Sequence, residues 1–317
     1  MRFVTIEHES VERVGVLDGE TVRLLEAGVS LLGFLGGDGS RLGEAGERAI
    51  RDPDLVLPVA DAHLRAPMPQ PPSVRDYMTF ERHFEGVARA AGPNATPPPF
   101  WYAAPSFYFT NPNSVHGPYD DVAVPPGCTA FDLELEVAVV LGAGGRDLTP
   151  AEAERRIAGF MLMNDWSARD LQVAEFALPL GPSKGKDSAI SLGPWFVTPD
   201  ELAPMRRGDS YDIALTARIN GEVIGSDTVS SMSFSFGQMI AYASRGADLR
   251  AGEVFASGTC GGGCLAELWG RHGPDSRDPL VPGDVVSIEA EGLGQQTSRV
   301  VAGAPGIDFE AFGAGRG

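Results

Sequence analysis

Asp132-Leu133-Glu134-Leu135-Glu136, which runs on into Val137-Ala138-Val139-Val140-Leu141, and further along Asn164-Asp165-Trp166-Ser167-Ala168-Arg169-Asp170-Leu171-Gln172 are the stretches on which the reading of this chain turns. The first has the length and the β-branched content of a strand. In a strand, Glu134 and Glu136 leave the same face. Their carboxylates then sit roughly 6–7 Å apart along the strand. Two acidic groups aimed into one space repel each other unless a cation lies between them. Asp165, which ends the apolar run Gly159-Phe160-Met161-Leu162-Met163, would supply a third oxygen donor. A hard divalent cation, Mg2+, Mn2+ or Ca2+, suits such a set. For the first stretch alone the competing reading is an antiparallel strand with a solvated acidic face.

Working outward, Gly185-Lys186-Asp187 follows the second stretch. Together these three segments resemble the fumarylacetoacetate hydrolase superfamily, with similarity over roughly residues 73 to 302. The resemblance implies a rolled β-sheet catalytic domain, here residues 67–317, preceded by a small N-terminal α/β domain, residues 1–66. Spacing of the segments by itself gives only a mixed α+β, strand-rich chain. The resemblance also implies a metal-dependent enzyme acting on a small oxo acid, usually a hydrolase that cuts a carbon–carbon bond of a 1,3-dicarbonyl compound. Decarboxylases, hydratases and isomerases share the fold, so the family does not specify the reaction.

Composition excludes several other classes. A chain of 317 residues buries a substantial core. Its net charge of -18 and pI of about 4.6 set it against a nucleic-acid backbone. There is no apolar run of about 18 residues, and Met1-Arg2-Phe3-Val4-Thr5-Ile6-Glu7 lacks the apolar core of a signal peptide. The expectation is a cytoplasmic protein without membrane partners. Cys128, Cys260 and Cys264 form no disulfide framework. Cys260-Gly-Gly-Gly-Cys264 would need two more ligands to hold zinc, and only His272 lies near in sequence, so it reads as a Gly-rich turn.

Short apolar runs before residue 66, broken by Asp18-Gly19, predict hairpins, and Leu42 to Arg51 predicts a helix. Pro67, Pro69, Pro71 and Pro72 mark a linker, because prolines so dense support neither a helix interior nor a central strand. Ser73-Val74-Arg75-Asp76 opens an expected helix to Ala91, stopped by Gly92-Pro93 and followed by a loop or lid from Asn94 to Pro99. Further strands are expected at 131–141, 158–164, 211–219 and 284–289, with helices near 150–157 and 234–244.

On the expected first helix, Asp76 and His83 would share a face about 10 Å apart along the axis. Alone, Asp76 would be a capping partner of Ser73 and His83 a half-buried helix histidine. The resemblance makes them metal ligand and water-activating base. Lysine usage adds an independent clue. Of 25 basic residues only Lys184 and Lys186 are lysines, so a compact ammonium is placed there where arginine serves elsewhere. The alternative is an exposed Gly-Pro-Ser-Lys-Gly-Lys loop. The resemblance selects Lys186 as the active-site lysine.

Ser257-Gly258-Thr259-Cys260-Gly261-Gly262-Gly263 reads as a turn whose backbone amides reach a substrate carboxylate. By resemblance, Thr259 contacts substrate and Glu267 orients the His83 ring. The expected site is therefore a metal held by Asp76, Glu134, Glu136 and Asp165, with His83, Glu267 and Lys186 as catalytic groups. Lys186 and Gln172 would hold the developing oxyanion, and Arg169 and Asp170 would form an ion pair supporting the Asp165 segment. Met78 and Phe176 stand where the family's best-known member has tyrosines, and Ala90-Ala91-Gly92-Pro93 offers no carboxylate-binding arginine. Tyr108 keeps one aromatic hydroxyl at the pocket. These departures favour an acyl group less polar than fumaryl. The rivals are an isomerase, hydratase or oxo-acid decarboxylase of aromatic-compound catabolism, and a non-catalytic acidic metal-binding protein. The resemblance further implies a homodimer.

Overall fold

The computed structural model describes residues 1–306 other than Pro93. Ten strands run in order across one large sheet: Leu55–Pro58, Thr21–Leu24, Val11–Asp18, Arg2–His8, Ile190–Val197, Ile157–Asp165, Leu135–Leu141, Val254–Ala256, Val74–Tyr77 and Phe107–Thr110. His63–Arg65 and Val115–His116 pair onto it from the side. A second sheet orders Glu222–Thr228, Ala214–Ile219, Val285–Ala290, Gly294–Val301 and Val122–Ala123. This is the strand-rich α+β architecture that the resemblance implies, and neither sheet closes on itself. No helix among the described residues is long and apolar enough to cross a membrane.

The period of two along each strand divides the interior. Leu135, Val137, Val139 and Leu141 point one way with Phe160 and Leu162, meeting Leu215, Ala217 and Ile288 of the second sheet in one core. Ala138, Val140, Met161 and Met163 point the other way and pack with Phe3, Leu42 and Ala49 in another. Leu42 and Ala49 lie on the helix Ser40–Arg51, close to its expected span. At the expected hairpin, Asp18 pairs with Thr21 and Gly19 takes a left-handed φ of 60°, which favours glycine.

The helix expected from Ser73 is not there. Val74–Tyr77 is a strand, buried throughout, paired in parallel with Val254–Ala256 and antiparallel with Phe107–Thr110. The Ser73 carbonyl accepts from the Val254 amide at 3.0 Å, so its backbone belongs to the sheet and no capping box forms. Two long-range partners supply every ladder bond that a local helix would otherwise supply, so tertiary pairing overrides the capping signal. The helix begins only at Glu81 and ends at Ala88, followed by a 3-10 turn Arg89–Ala91. Of the expected Gly92-Pro93 stop, Pro93 lies outside the described residues. The proline run that follows is loop only as far as Pro98. Pro99 opens a short helix, Pro99–Ala103, where its missing N–H costs nothing.

Candidate active site

Strand parity brings the four acidic residues together. Asp165 follows Met161 and Met163 on one face of its strand, and Asp76 follows Val74 on its own. Glu136 precedes Ala138 and Val140, with Glu134 two residues earlier. All four lie where that side of the sheet runs out of apolar side chains. They are almost fully buried, and each offers an oxygen within 4.8 Å of the others. The junction is braced by Asn164, whose Oδ1 accepts from the Glu134 amide at 2.8 Å, and by Trp166, stacked on Phe131 with its ring N–H on Ser191.

The electrostatics of this cluster are unbalanced. Burial, aggravated by Asp165, pushes the Asp76 carboxyl well above the usual range. Burial does the same to Glu136, with Asp76, Glu134 and Asp165 adding to it. Burial also raises Asp165, against the pull of Lys186. Only Glu134 is held below the usual carboxylate range, because Arg169 and Lys186 outweigh its burial. Asp76 Oδ1 and Asp165 Oδ1 are buried without any partner. Unpaired oxygens on crowded carboxylates are costly, and a hard divalent cation would satisfy them. The residues fit one.

Lys186 is buried, whereas Lys184 is exposed and pairs with Asp187. The Lys186 ammonium bonds Glu134 and, at 2.8 Å, Asp165, and these carboxylates raise its pKa although burial opposes it. Two of its three N–H donors are thereby used. Its loop is no free turn. Glu175 accepts from the amides of Ser183, Lys184 and Gly185, and Gly185 passes so close to Gln172 that an added Cβ would lie 2.6 Å from the Gln172 Cβ. Tyr108 faces Asp76 across paired strands and donates to Asp76 at 2.7 Å or to Asp165.

His83 and Glu267 come from two helices, Glu81–Ala88 and Leu265–His272. His83 Nδ1 lies 2.9 Å from Glu267 Oε1, and Glu267 also accepts from the Gly262 amide. The helices approach so closely at Gly86 and Gly270 that a Cβ on Gly270 would fall 2.0 Å from the Gly86 carbonyl oxygen. With Nδ1 held by the carboxylate, Nε2 is the nitrogen left for chemistry. Asp76 and His83 thus serve one cavity from a strand and a helix, not from one helical face.

Arg169 and Asp170 do not pair with each other. Consecutive residues at the start of the helix Arg169–Glu175 project in different directions. Arg169 binds Asp132 at 2.8 Å, Glu134 at 2.7 Å and the Gln172 oxygen. Asp170 accepts from the amide and hydroxyl of Thr129. Nor are the glycine-rich amides free for a substrate carboxylate. Those of Gly258, Gly261 and Gly262 are taken by Glu136, Asp227 and Glu267, because buried amides find the nearest acceptor. The Thr259 hydroxyl stands 3.5 Å from Glu136.

Sequence reasoning passed over Asp132, which accepts from the Leu265 and Ala266 amides at the start of the second helix and ties that helix to Arg169. Its parity with Glu134 and Glu136 was the available signal. The approach of Cys264 to within 3.8 Å of His83 Nδ1, by contrast, has no signal in the sequence.

Asp76, His83, Tyr108, Glu134, Arg169 and Lys186 line a cavity of about 460 Å³ that also reaches Met78, Gln172, Thr259 and Phe176. A buried imidazole–carboxylate pair beside a carboxylate cluster that fits a cation, set on this fold, is the equipment of an enzyme. Residues 74–301 match the fumarylacetoacetate (FAA) hydrolase C-terminal family, and the chain belongs to it. The fumarylacetoacetase of Oryza sativa subsp. japonica is 28% identical, over 82% of this chain and 76% of that protein. The human mitochondrial oxaloacetate tautomerase FAHD2A is 34% identical, over 60% of this chain and only 56% of its own length. Among solved structures, a probable 2-hydroxyhepta-2,4-diene-1,7-dioate isomerase from Mycobacterium abscessus superposes with a TM-score of 0.70 at 25% identity, covering 96% of this chain and 100% of that one. The family's members are enzymes of several reaction types.

Proposed function

We propose that this protein is a divalent-metal-dependent hydrolase that cleaves the carbon–carbon bond of a 1,3-dicarbonyl oxo acid. The observation that carries the reading is that His83, held from behind by Glu267, lines the same cavity as Asp76 and Glu134 of the four-carboxylate cluster. Asp76, Glu134, Glu136 and Asp165 would hold the cation, with Mg2+ or Mn2+ the first candidates. When bound, it would supply Lewis-acid polarisation of the substrate's carbonyl oxygens. His83 takes a proton from water at Nε2 while Glu267 stabilises the resulting imidazolium through Nδ1. The water oxygen bonds to the distal carbonyl carbon. The unused Lys186 N–H and the Gln172 amide, whose oxygen is already held by Arg169, donate to the oxyanion. The bond to the neighbouring methylene then breaks, its electron pair stays with the departing carbon, and His83 returns the proton there. A carboxylic acid and a 2-oxo acid leave.

A second reading is supported by the tautomerase and isomerase among the similar proteins: the same base moves a proton between carbons, and no water is consumed. Product analysis of a panel of 2,4-dioxo acids with Mg2+ and Mn2+ separates the two. Release of a carboxylic acid together with pyruvate supports hydrolysis, while a product of unchanged mass overturns it in favour of isomerisation.

The remainder of the proposal is a homodimer acting in the cytoplasm on a small oxo acid. Phe109, exposed on the sheet's end strand, supports the dimer, and sedimentation equilibrium tests it.

A further inference from the structure

The cavity's lining differs between its buried and its less buried residues. Its basic lining side chains are His83, Arg169 and Lys186, and all three are committed. His83 binds Glu267, Arg169 binds Asp132 and Glu134, and Lys186 binds Glu134 and Asp165. The less buried lining is largely apolar: Met78, Phe84, Val87, Val173, Phe176 and Trp269. Neighbouring arginines turn away from it. Arg82 donates to the Ser226 carbonyl, and Arg271 to the Arg82 carbonyl and Glu267. Arg89, between the lining residues Ala88 and Ala90, is exposed.

Within this apolar lining Val173 is 69% exposed and Phe176 60%. Two large apolar side chains standing in solvent at the mouth of a polar site are unfavourable unless an apolar group covers them. Among the described residues that line the cavity no basic side chain is left uncommitted, so a second carboxylate at the substrate's far end would lose its hydration without gaining a cation from the lining. This lining therefore sorts substrates by their tails, while the committed cations serve the head.

We propose that the substrate is a 2,4-dioxo monocarboxylate whose distal acyl group carries an uncharged alkyl or aryl tail, seated against Met78, Val173 and Phe176. The 2,4-dioxo head rests on the function proposed above; the tail preference rests on the cavity alone.

The test uses the purified full chain loaded with Mn2+ and compares methyl-, butyl- and phenyl-tailed 2,4-dioxo acids with a compound of the butyl length ending in carboxylate. Each buried methylene is expected to raise kcat/KM roughly threefold to fourfold, and the terminal carboxylate to lower it about 30-fold or more. Phe176→Arg places a cation at the solvent-facing wall and should restore about 5-fold or more to the carboxylate-tailed compound, with an unchanged melting temperature. Equal or better turnover of that compound by the wild type overturns the proposal, as does such a preference that disappears in Arg89→Gln. Should no compound be cleaved, the hydrolase reading fails, and calorimetric binding of the same compounds reads the tail preference separately. Tighter binding of the butyl and phenyl compounds then supports the proposal. Equal binding, tighter binding of the carboxylate compound, or no binding at all overturns it.

Discussion

His83 Nδ1 and Glu267 Oε1 stand 2.9 Å apart although the residues are 184 positions apart in the chain. The pair depends on two helices meeting at two glycines, and on Glu267 being held by the Gly262 amide as well. A base built in this way is oriented before substrate arrives.

The first expectation follows from that geometry. His83→Ala should lower turnover roughly 100-fold or more with metal content intact, as a positioned base contributes about 100- to 10,000-fold. Glu267→Gln keeps a hydrogen-bond partner but loses the charge that favours the imidazolium, so its loss should be smaller. Single-turnover kinetics with parallel metal analysis checks both, and a wild-type rate for His83→Ala would remove the residue from the mechanism.

The carboxylate cluster predicts opposite effects on two measurements. Glu136 is buried beside Asp76, Glu134 and Asp165, and its charge is unfavourable without a cation. Glu136→Gln should therefore raise the melting temperature of the metal-free protein while shrinking the rise that Mg2+ or Mn2+ produces. Thermal melts in chelator and in excess metal measure the two together. Chelation of the wild type should abolish activity, and restoration should follow metal readdition.

For the lysines, Lys186→Arg should impair turnover far more than Lys184→Arg. The first replaces a compact buried ammonium, bonded to Glu134 and Asp165, by a planar fork, while the second alters an exposed pair with Asp187. Steady-state kinetics on both variants decides the matter: equal, near-wild-type rates would leave Lys186 without a catalytic part.

Gly270→Ala tests the helix contact itself. Its Cβ would lie 2.0 Å from the Gly86 carbonyl oxygen, so the helices must separate. Overpacking of this kind costs about 1–3 kcal/mol. The variant should melt earlier and lose turnover while binding metal as the wild type does, since none of the four carboxylates is on either helix. A wild-type melting curve with a wild-type rate would show that the contact is not needed.

Much of the site was legible beforehand because strand alternation is a local property. Glu134 and Glu136 had to share a face, and the apolar run before Asp165 had to be a strand. The lysine at 186 stood out because arginine is used almost everywhere else. Ser73 to Asp76 misled for the same reason in reverse. A capping pattern is local evidence, and two long-range strand partners outweighed it.

By itself, then, the sequence determined which residues alternate toward one side and which family the motifs belong to. The tertiary structure decided the rest. It set Asp76 beside Asp165 through strands distant in sequence, gave Glu267 to His83, and committed Arg169 and Lys186, basic side chains of the cavity's described lining, to carboxylates. The physical reason is one of range: side-chain parity follows from neighbouring peptide units, whereas the pairing of buried charges depends on which strands and helices meet, and that is settled by packing of the whole chain.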